Sequence, residues 1–179
     1  MSKKNSVFIA TSLDGYIADK DGGIAWLDAI PNPEKIDMGY VEFNTEIDAL
    51  VMGRTTFETV LGFGIDWPYD KTVFVLSNTL TEVPKELKGK VQLVKGSLQE
   101  VLKIIHDQGY YRLYIDGGGT IQSFLKEDLI DEMVITTIPV LLGGGTPLFS
   151  GLSQQLHFEC IATKRYLDKI AQNHYRRVR

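Results

Sequence analysis

The sequence is short of several things, and each shortage closes off a class of function. It holds one cysteine, Cys160, in 179 residues. A lone thiol excludes an intramolecular disulfide and suits a reducing compartment. Its three histidines, His106, His157 and His174, are scattered without ligand spacing, so no metal site is expected. No apolar run approaches the roughly 18 residues that a membrane-spanning helix needs. Excess positive charge is also missing: the net charge is −4, which argues against a general affinity for nucleic acid or anionic membrane. The first residues, Met1-Ser-Lys-Lys-Asn-Ser6, run straight into Val7-Phe-Ile-Ala10 without the apolar region of a signal peptide, so a cytoplasmic location is expected. Gly-x-Ser-x-Gly, Gly-x-Gly-x-x-Gly and a Walker loop are all absent, which removes the ordinary serine-hydrolase and nucleotide fingerprints.

What is present is an ordinary globular composition, 44% apolar and 23% charged, of a length that suits one domain spanning residues 1–179. The stretch Asp48-Ala-Leu-Val-Met-Gly-Arg-Thr-Thr-Phe-Glu-Thr-Val60 organises the rest. Ala49 to Met52 reads as a buried strand that meets Gly53, and Thr55-x-x-Glu58 has the pattern of a capping box opening a helix. A strand running through glycine into a helix presents free backbone N–H groups, the positive end of a dipole and here the guanidinium of Arg54, which together suit a phosphate. Ile115-Asp-Gly-Gly-Gly-Thr-Ile121 repeats the device.

Other strands are predicted over Val7 to Leu13, Thr72 to Leu76, Val91 to Val94, Arg112 to Ile115 and in the apolar stretch Met133 to Leu142. A helix is predicted loosely over Asp37 to Ile47, and another, opened by Ser97-x-x-Glu100, closes before Gly109. From His157, two strand-like stretches flank Tyr166-Leu-Asp-Lys169 and predict a closing antiparallel hairpin. Strands alternating with helices give an α/β domain with a mainly parallel sheet, edged by antiparallel strands from that hairpin. Ligands of such sheets sit beyond the carboxyl ends of the strands, where Gly53-Arg-Thr-Thr56, Ser77-Asn78 and Gly117-Gly-Gly119 gather hydroxyls and glycines. Three phosphate-friendly turns suggest a ligand with several phosphates, such as a dinucleotide.

Val51-Met-Gly-Arg-x-Thr-x-Glu58, Val75-Leu-Ser77 and Tyr114-Ile-Asp-Gly-Gly-Gly119 resemble dihydrofolate reductase. Ser12-Leu-Asp-Gly-Tyr-Ile-Ala18, Leu129-Ile-Asp-Glu-Met133 and Pro139-Val-Leu-Leu-Gly-Gly-Gly-Thr-Pro-Leu-Phe149 resemble the reductase domain of bacterial riboflavin biosynthesis, which shares that fold. The resemblance implies an NADPH-dependent reductase acting on a small nitrogen heterocycle. It places Ala10 and Ile17 beside the nicotinamide. It assigns Gly53, Arg54, Thr55 and Thr56 to the pyrophosphate and adenosine-phosphate side, Leu76, Ser77 and Asn78 to the adenosine, and Gly117, Gly118 and Gly119 to the pyrophosphate. By the same resemblance Asp37 is the substrate-side carboxylate and proton source, with helix N-cap as its competing role, and the protein is a homodimer with an edge strand from the Leu129–Leu142 region or the terminal hairpin in its interface. Trp26 stands either as a substrate-side wall or as core. The riboflavin reductases' Asp-Asp-Pro substrate element is replaced here by Phe57-Glu-Thr-Val-Leu-Gly-Phe-Gly-Ile-Asp-Trp-Pro68. A dihydrofolate reductase acting on a pteridine, and a nucleotide-binding sensor without catalysis, remain alternatives.

Overall fold

Ten strands and four α-helices alternate along the chain in a computed structural model that describes residues 2–179. The strands are β1 (Lys4–Ser12), β2 (Tyr16–Ala18), β3 (Ala49–Gly53), β4 (Val73–Leu76), β5 (Val91–Val94), β6 (Arg112–Asp116), β7 (Glu132–Ile138), β8 (Thr146–Pro147), β9 (Phe158–Tyr166) and β10 (Ile170–Arg177). The helices are α1 (Tyr40–Thr45), α2 (Arg54–Leu61), α3 (Leu98–Asp107) and α4 (Gly118–Lys126). Eight strands form one sheet in the order β5-β4-β3-β6-β1-β7-β10-β9. The first six pair in parallel, and β10 and β9 add antiparallel edges. The second, small sheet is the pair β2 and β8, which forms a flap beside the main one.

The central strands are continuous apolar runs because both of their faces are covered. On one face Val51, Phe74, Leu113 and Ile115 pack with Val101 and Ile105 of α3 and Ile121 and Phe124 of α4. On the other, Leu50, Met52, Val73 and Tyr114 pack with Phe57 of α2 and Tyr40 and Phe43 of α1. The expected capping box is realised in α3: Ser97 Oγ accepts from Glu100 N at 3.2 Å, and Ser97 N donates to Glu100 Oε2 at 2.8 Å. The predicted hairpin closes through Leu167 and Asp168, with φ of 52° and 56°, the positive-φ pair of the turns that match strand twist.

Three local expectations need correction. The Asp37–Ile47 helix shrinks to α1, because Gly39 is left-handed at φ 87° and the helix starts only after it. The stretch Met133–Leu142 is a strand only as far as Ile138, and β7 lies between β1 and β10, so it is no edge. Thr55 is not a cap: α2 begins at Arg54 directly on the strand end, with Gly53 as N-cap and no side-chain cap. Glu58 therefore faces Arg54 one turn away and binds it, at 2.7 Å, instead of closing a box.

Candidate active site

β3 and β6 are neighbours, but α2 leaves β3 onto one face of the sheet and α4 leaves β6 onto the other. Such a reversal opens a crevice at the strands' carboxyl ends. Both helices start there without a side-chain cap, so the N–H groups of their first turns face the crevice unclaimed by their own caps. The two starts interlock. A Cβ on Gly53 would stand 2.9 Å from Thr120 Oγ1, and one on Gly117 would overlap Thr56 Oγ1. Gly117 also has φ 91° and ψ 137°, a conformation that side chains exclude. Glycine is required at Gly117 by its φ, while at Gly53 a side chain would press only on the Thr120 hydroxyl.

Outward from the crevice lies a cleft of about 450 Å³. Gly53, Arg54, Leu76, Ser77, Asn78 and Gly119 line it, so one site gathers half of the residues the resemblance assigned to the cofactor. Thr79, Lys95, Gly96, Thr120 and Ser123 line it too. The last five were not anticipated. Lys95 follows directly on β5, and its position at a strand's carboxyl end was the signal available in the sequence. Arg54 spans the rim, with Nε 2.7 Å from Glu58 Oε1 and Nη1 2.6 Å from Thr79 Oγ1.

The remaining assigned residues divide. Thr56, Gly117, Gly118 and Ile17 meet at the inner end, where Ile17 Cδ1 lies 2.7 Å from where a Gly118 Cβ would be. Ile17 arrives on the flap strand β2. The flap is fastened by Asp14, whose carboxylate accepts from Ser12 Oγ at 2.6 Å, Leu142 N at 3.1 Å and Gly143 N at 2.8 Å. The Ser12 hydroxyl leads these bonds in holding the Asp14 carboxyl below its ordinary range. Ala10 packs with Trp26, Ile138 and Ile170. Thr55 is exposed on α2 and does not line the cleft.

Trp26 is 8% exposed, and its Nε1 donates to Gly23 O at 3.2 Å, which makes it part of the core. Asp37 is exposed and occupied. Its carboxylate accepts from Val41 N at 2.8 Å and Gly39 N at 3.2 Å at the start of α1. Those bonds hold its carboxyl below the usual range and tie it to the first turn of α1 from two residues ahead of the N-cap, Gly39.

A different carboxyl occupies the crevice. Asp116 ends β6 on the same face as Tyr114, next to Gly117, whose N–H it accepts at 2.9 Å. Solvent reaches it in part and it does not line the 450 Å³ cleft, but it is densely surrounded, and burial pushes it up to about 6, partly offset by the Gly117 N–H. Tyr40, Tyr69 and Tyr114 stand around it. Burial first, then the Asp116 charge, lifts all three phenols above their ordinary 10. Sequence reading passed over Asp116 because a residue between a strand and a glycine turn carries no periodic signal, and only the tyrosines folded around it give it its chemistry.

Another cavity, of about 260 Å³, opens between α1 and β10 at the opposite end of the sheet. Its half-buried carboxylate, Glu132, is already met by Lys4 at 2.7 Å and His174 at 3.0 Å. The crevice at the carboxyl edge holds the two uncapped helix starts and, among the described residues, an acid with no ion-pair partner, and it is the candidate site.

Residues 4–171 match the RibD C-terminal domain. A solved Shewanella sp. PV-4 protein, described as a candidate riboflavin biosynthesis protein, is 56% identical with a TM-score of 0.96, over 98% of this chain and 99% of that one. The Thermotoga maritima diaminohydroxyphosphoribosylaminopyrimidine deaminase/5-amino-6-(5-phosphoribosylamino)uracil reductase is 16% identical with a TM-score of 0.76, and 99% of this chain overlies 57% of it. Enterococcus faecalis dihydrofolate reductase, solved with NADP(H), is 18% identical with a TM-score of 0.66, over 97% and 96% of the two chains. These last two likenesses speak for the fold alone, which is that of dihydrofolate reductase. The match, which runs from β1 into β10, means that this chain belongs to the RibD C-terminal domain family.

Proposed function

We propose that the protein is an NADPH-dependent reductase of the RibD type. One observation carries the reading: two uncapped helix starts interlock across β3 and β6, with Arg54 and Lys95 lining the adjoining cleft and the half-buried acid Asp116 at the end of β6. Free N–H groups and glycines that allow close backbone approach fit a pyrophosphate. Arg54 and Lys95, with Ser77 and Asn78 between them, fit the additional phosphate of NADPH at the adenosine end. Ile17 of the flap would cover the nicotinamide end at Gly118, and Ala10 would border it from β1. The cofactor, when bound, supplies a hydride.

The chain's own groups supply the rest. Reduction of a C=N or C=O bond leaves negative charge on nitrogen or oxygen, and a proton must reach that atom. We assign its delivery to Asp116 and not to Asp37, because Asp116 is the carboxyl in the crevice that burial keeps protonated nearer neutrality. The tyrosine rings form an aromatic wall that suits a planar nitrogen heterocycle. Protein incubated with NADPH and a series of aminouracils and pteridines should consume NADPH with at least one of them. Tight NADPH binding without consumption would favour a sensor, and turnover confined to dihydropteridines would favour a dihydrofolate reductase.

We further propose a homodimer. Since β7 is internal, the edge that remains of the two regions expected at the interface is β9 of the terminal hairpin, β5 being the sheet's other edge. Light scattering should give twice the chain mass of 20.1 kDa, and a single-chain mass at micromolar concentration would exclude a stable dimer.

A further inference from the structure

The cavity of about 260 Å³ at the amino end of the sheet lies beside a short helix. α1 has only six residues, and its Tyr40 and Phe43 pack on Phe8 of β1 and Tyr114 of β6. The same face of the sheet, continued through β7 and β10, floors the cavity. Alternation along β1 sends Lys4, Ser6 and Phe8 to this face and Val7 to the opposite core.

Two polar groups on this floor are buried and unanswered. Ser6 is 3% exposed, and its hydroxyl makes no hydrogen bond among the described residues. Gln172 is 6% exposed; its Nε2 donates to Met38 O at 2.8 Å and to Thr136 Oγ1 at 2.9 Å, while its Oε1 accepts nothing. Buried polar groups left unpaired cost free energy that the polar ends of a ligand would recover.

Charge is set across the cavity and not paired within it. On the strand side, Glu132 is shared by Lys4 at 2.7 Å, His174 at 3.0 Å and Arg176 at 3.3 Å, and Lys164 of β9 has no acidic partner among the described residues. Cations therefore outnumber the one carboxylate there. On the α1 side stand Glu42 and Glu46, with no basic partner among the described residues, and Arg112 is already held by Asp48 at 3.2 Å. Among the described residues, no ion pair bridges the two sides. Phe8, Phe43, Ile47 and Val134 supply apolar surface between them.

We propose that this cavity binds a small zwitterion with an apolar body, the chemistry of a free hydrophobic α-amino acid. Its carboxylate would meet Lys4, Lys164 and the Ser6 hydroxyl, its ammonium Glu42, Glu46 and Gln172 Oε1, and its side chain the phenylalanines and Ile47. The volume suits that size: it is below the roughly 300–1,000 Å³ of sites for drug-sized ligands and above an apolar cavity of about 150 Å³ that takes benzene. A ligand with a single charge would leave one side of the cavity unanswered. The site lies at the opposite end of the sheet from the crevice, and its occupancy does not depend on the reductase reading.

Calorimetry with leucine and phenylalanine tests this, against isocaproate and isoamylamine, which keep the leucine body but carry only the carboxylate or only the ammonium. At least one of the amino acids should bind once per chain, and leucine at least about tenfold more tightly than either analogue, as expected for a charged hydrogen bond. The double variant Glu42→Gln/Glu46→Gln and the single variant Ser6→Ala should each weaken binding of that amino acid severalfold or more, with urea unfolding in the absence of ligand showing that each is folded. Binding of neither amino acid at millimolar concentration, equal binding of the singly charged analogues, or full affinity in the folded variants would overturn the proposal.

Discussion

Asp116→Asn should make the protein more stable and less active, and the structure gives the size of the first effect. Burial lifts the carboxyl from 3.8 to about 6. Each unit is worth about 1.4 kcal/mol, so holding Asp116 ionised in the folded state costs about 3 kcal/mol as an upper figure. The sign follows from which state binds the proton more tightly. The native state does, so this cost is absent below the unfolded-state value, grows as the pH rises from about 4 to about 6, and is constant above. Asparagine is nearly isosteric, never ionises, and can still accept the Gly117 N–H. Tyr40, Tyr69 and Tyr114, the groups packed around it, stay neutral throughout this range. Urea unfolding at pH 8 should therefore show the variant about 2–3 kcal/mol more stable, with Tm about 5–10 °C higher, and the two proteins should converge near pH 4. Turnover near neutrality should fall by about 10²-fold or more, and in the wild type kcat/KM should decline above pH 6 as the acid loses its proton. A variant no more stable than wild type at pH 8, or a gain independent of pH, would refute the burial argument.

Arg54→Ala should weaken NADPH binding by about 1–2 kcal/mol while sparing NADH, and Glu58→Gln should strengthen NADPH, since Glu58 competes for the same guanidinium at 2.7 Å; titration of both cofactors against each variant measures this. Gly117→Ala should cost about 2–4 kcal/mol in chemical unfolding and abolish nucleotide binding, because the new methyl group overlaps Thr56 Oγ1 at a φ of 91°. Asp37→Asn should leave turnover within about twofold, as expected when asparagine replaces an aspartate that accepts only from backbone N–H groups at the start of α1, whereas a loss approaching 10²-fold would restore Asp37 as the acid.

The parallel core was legible because its strands are buried on both faces and so appear as short apolar runs: Val91–Val94 matches β5 end to end, and Arg112–Ile115 is one residue short of β6. Ser97 and Glu100 fixed the start of α3 because that cap is purely local. Thr55 and Glu58 have the same spacing, yet the glycine junction starts α2 earlier and Arg54 takes the glutamate. Spacing alone could not separate the two cases. The geometry of the candidate crevice was legible where glycine makes it, in Gly53, Gly117 and Gly118. It was hidden where chain crossings make it: Lys95 joins Arg54 only through the β5-β4-β3 order, and Asp116 acquires its environment from α1 and the loop carrying Tyr69.

Calorimetric titration of the protein with NADPH and then NADH tests the central claim most directly. The account predicts one NADPH site per chain, at least about tenfold tighter than NADH and greatly weakened by Gly117→Ala, in line with a charged contact to the extra phosphate worth about 1.5 kcal/mol or more. Absence of NADPH binding, or equal affinity for the two cofactors, would contradict it.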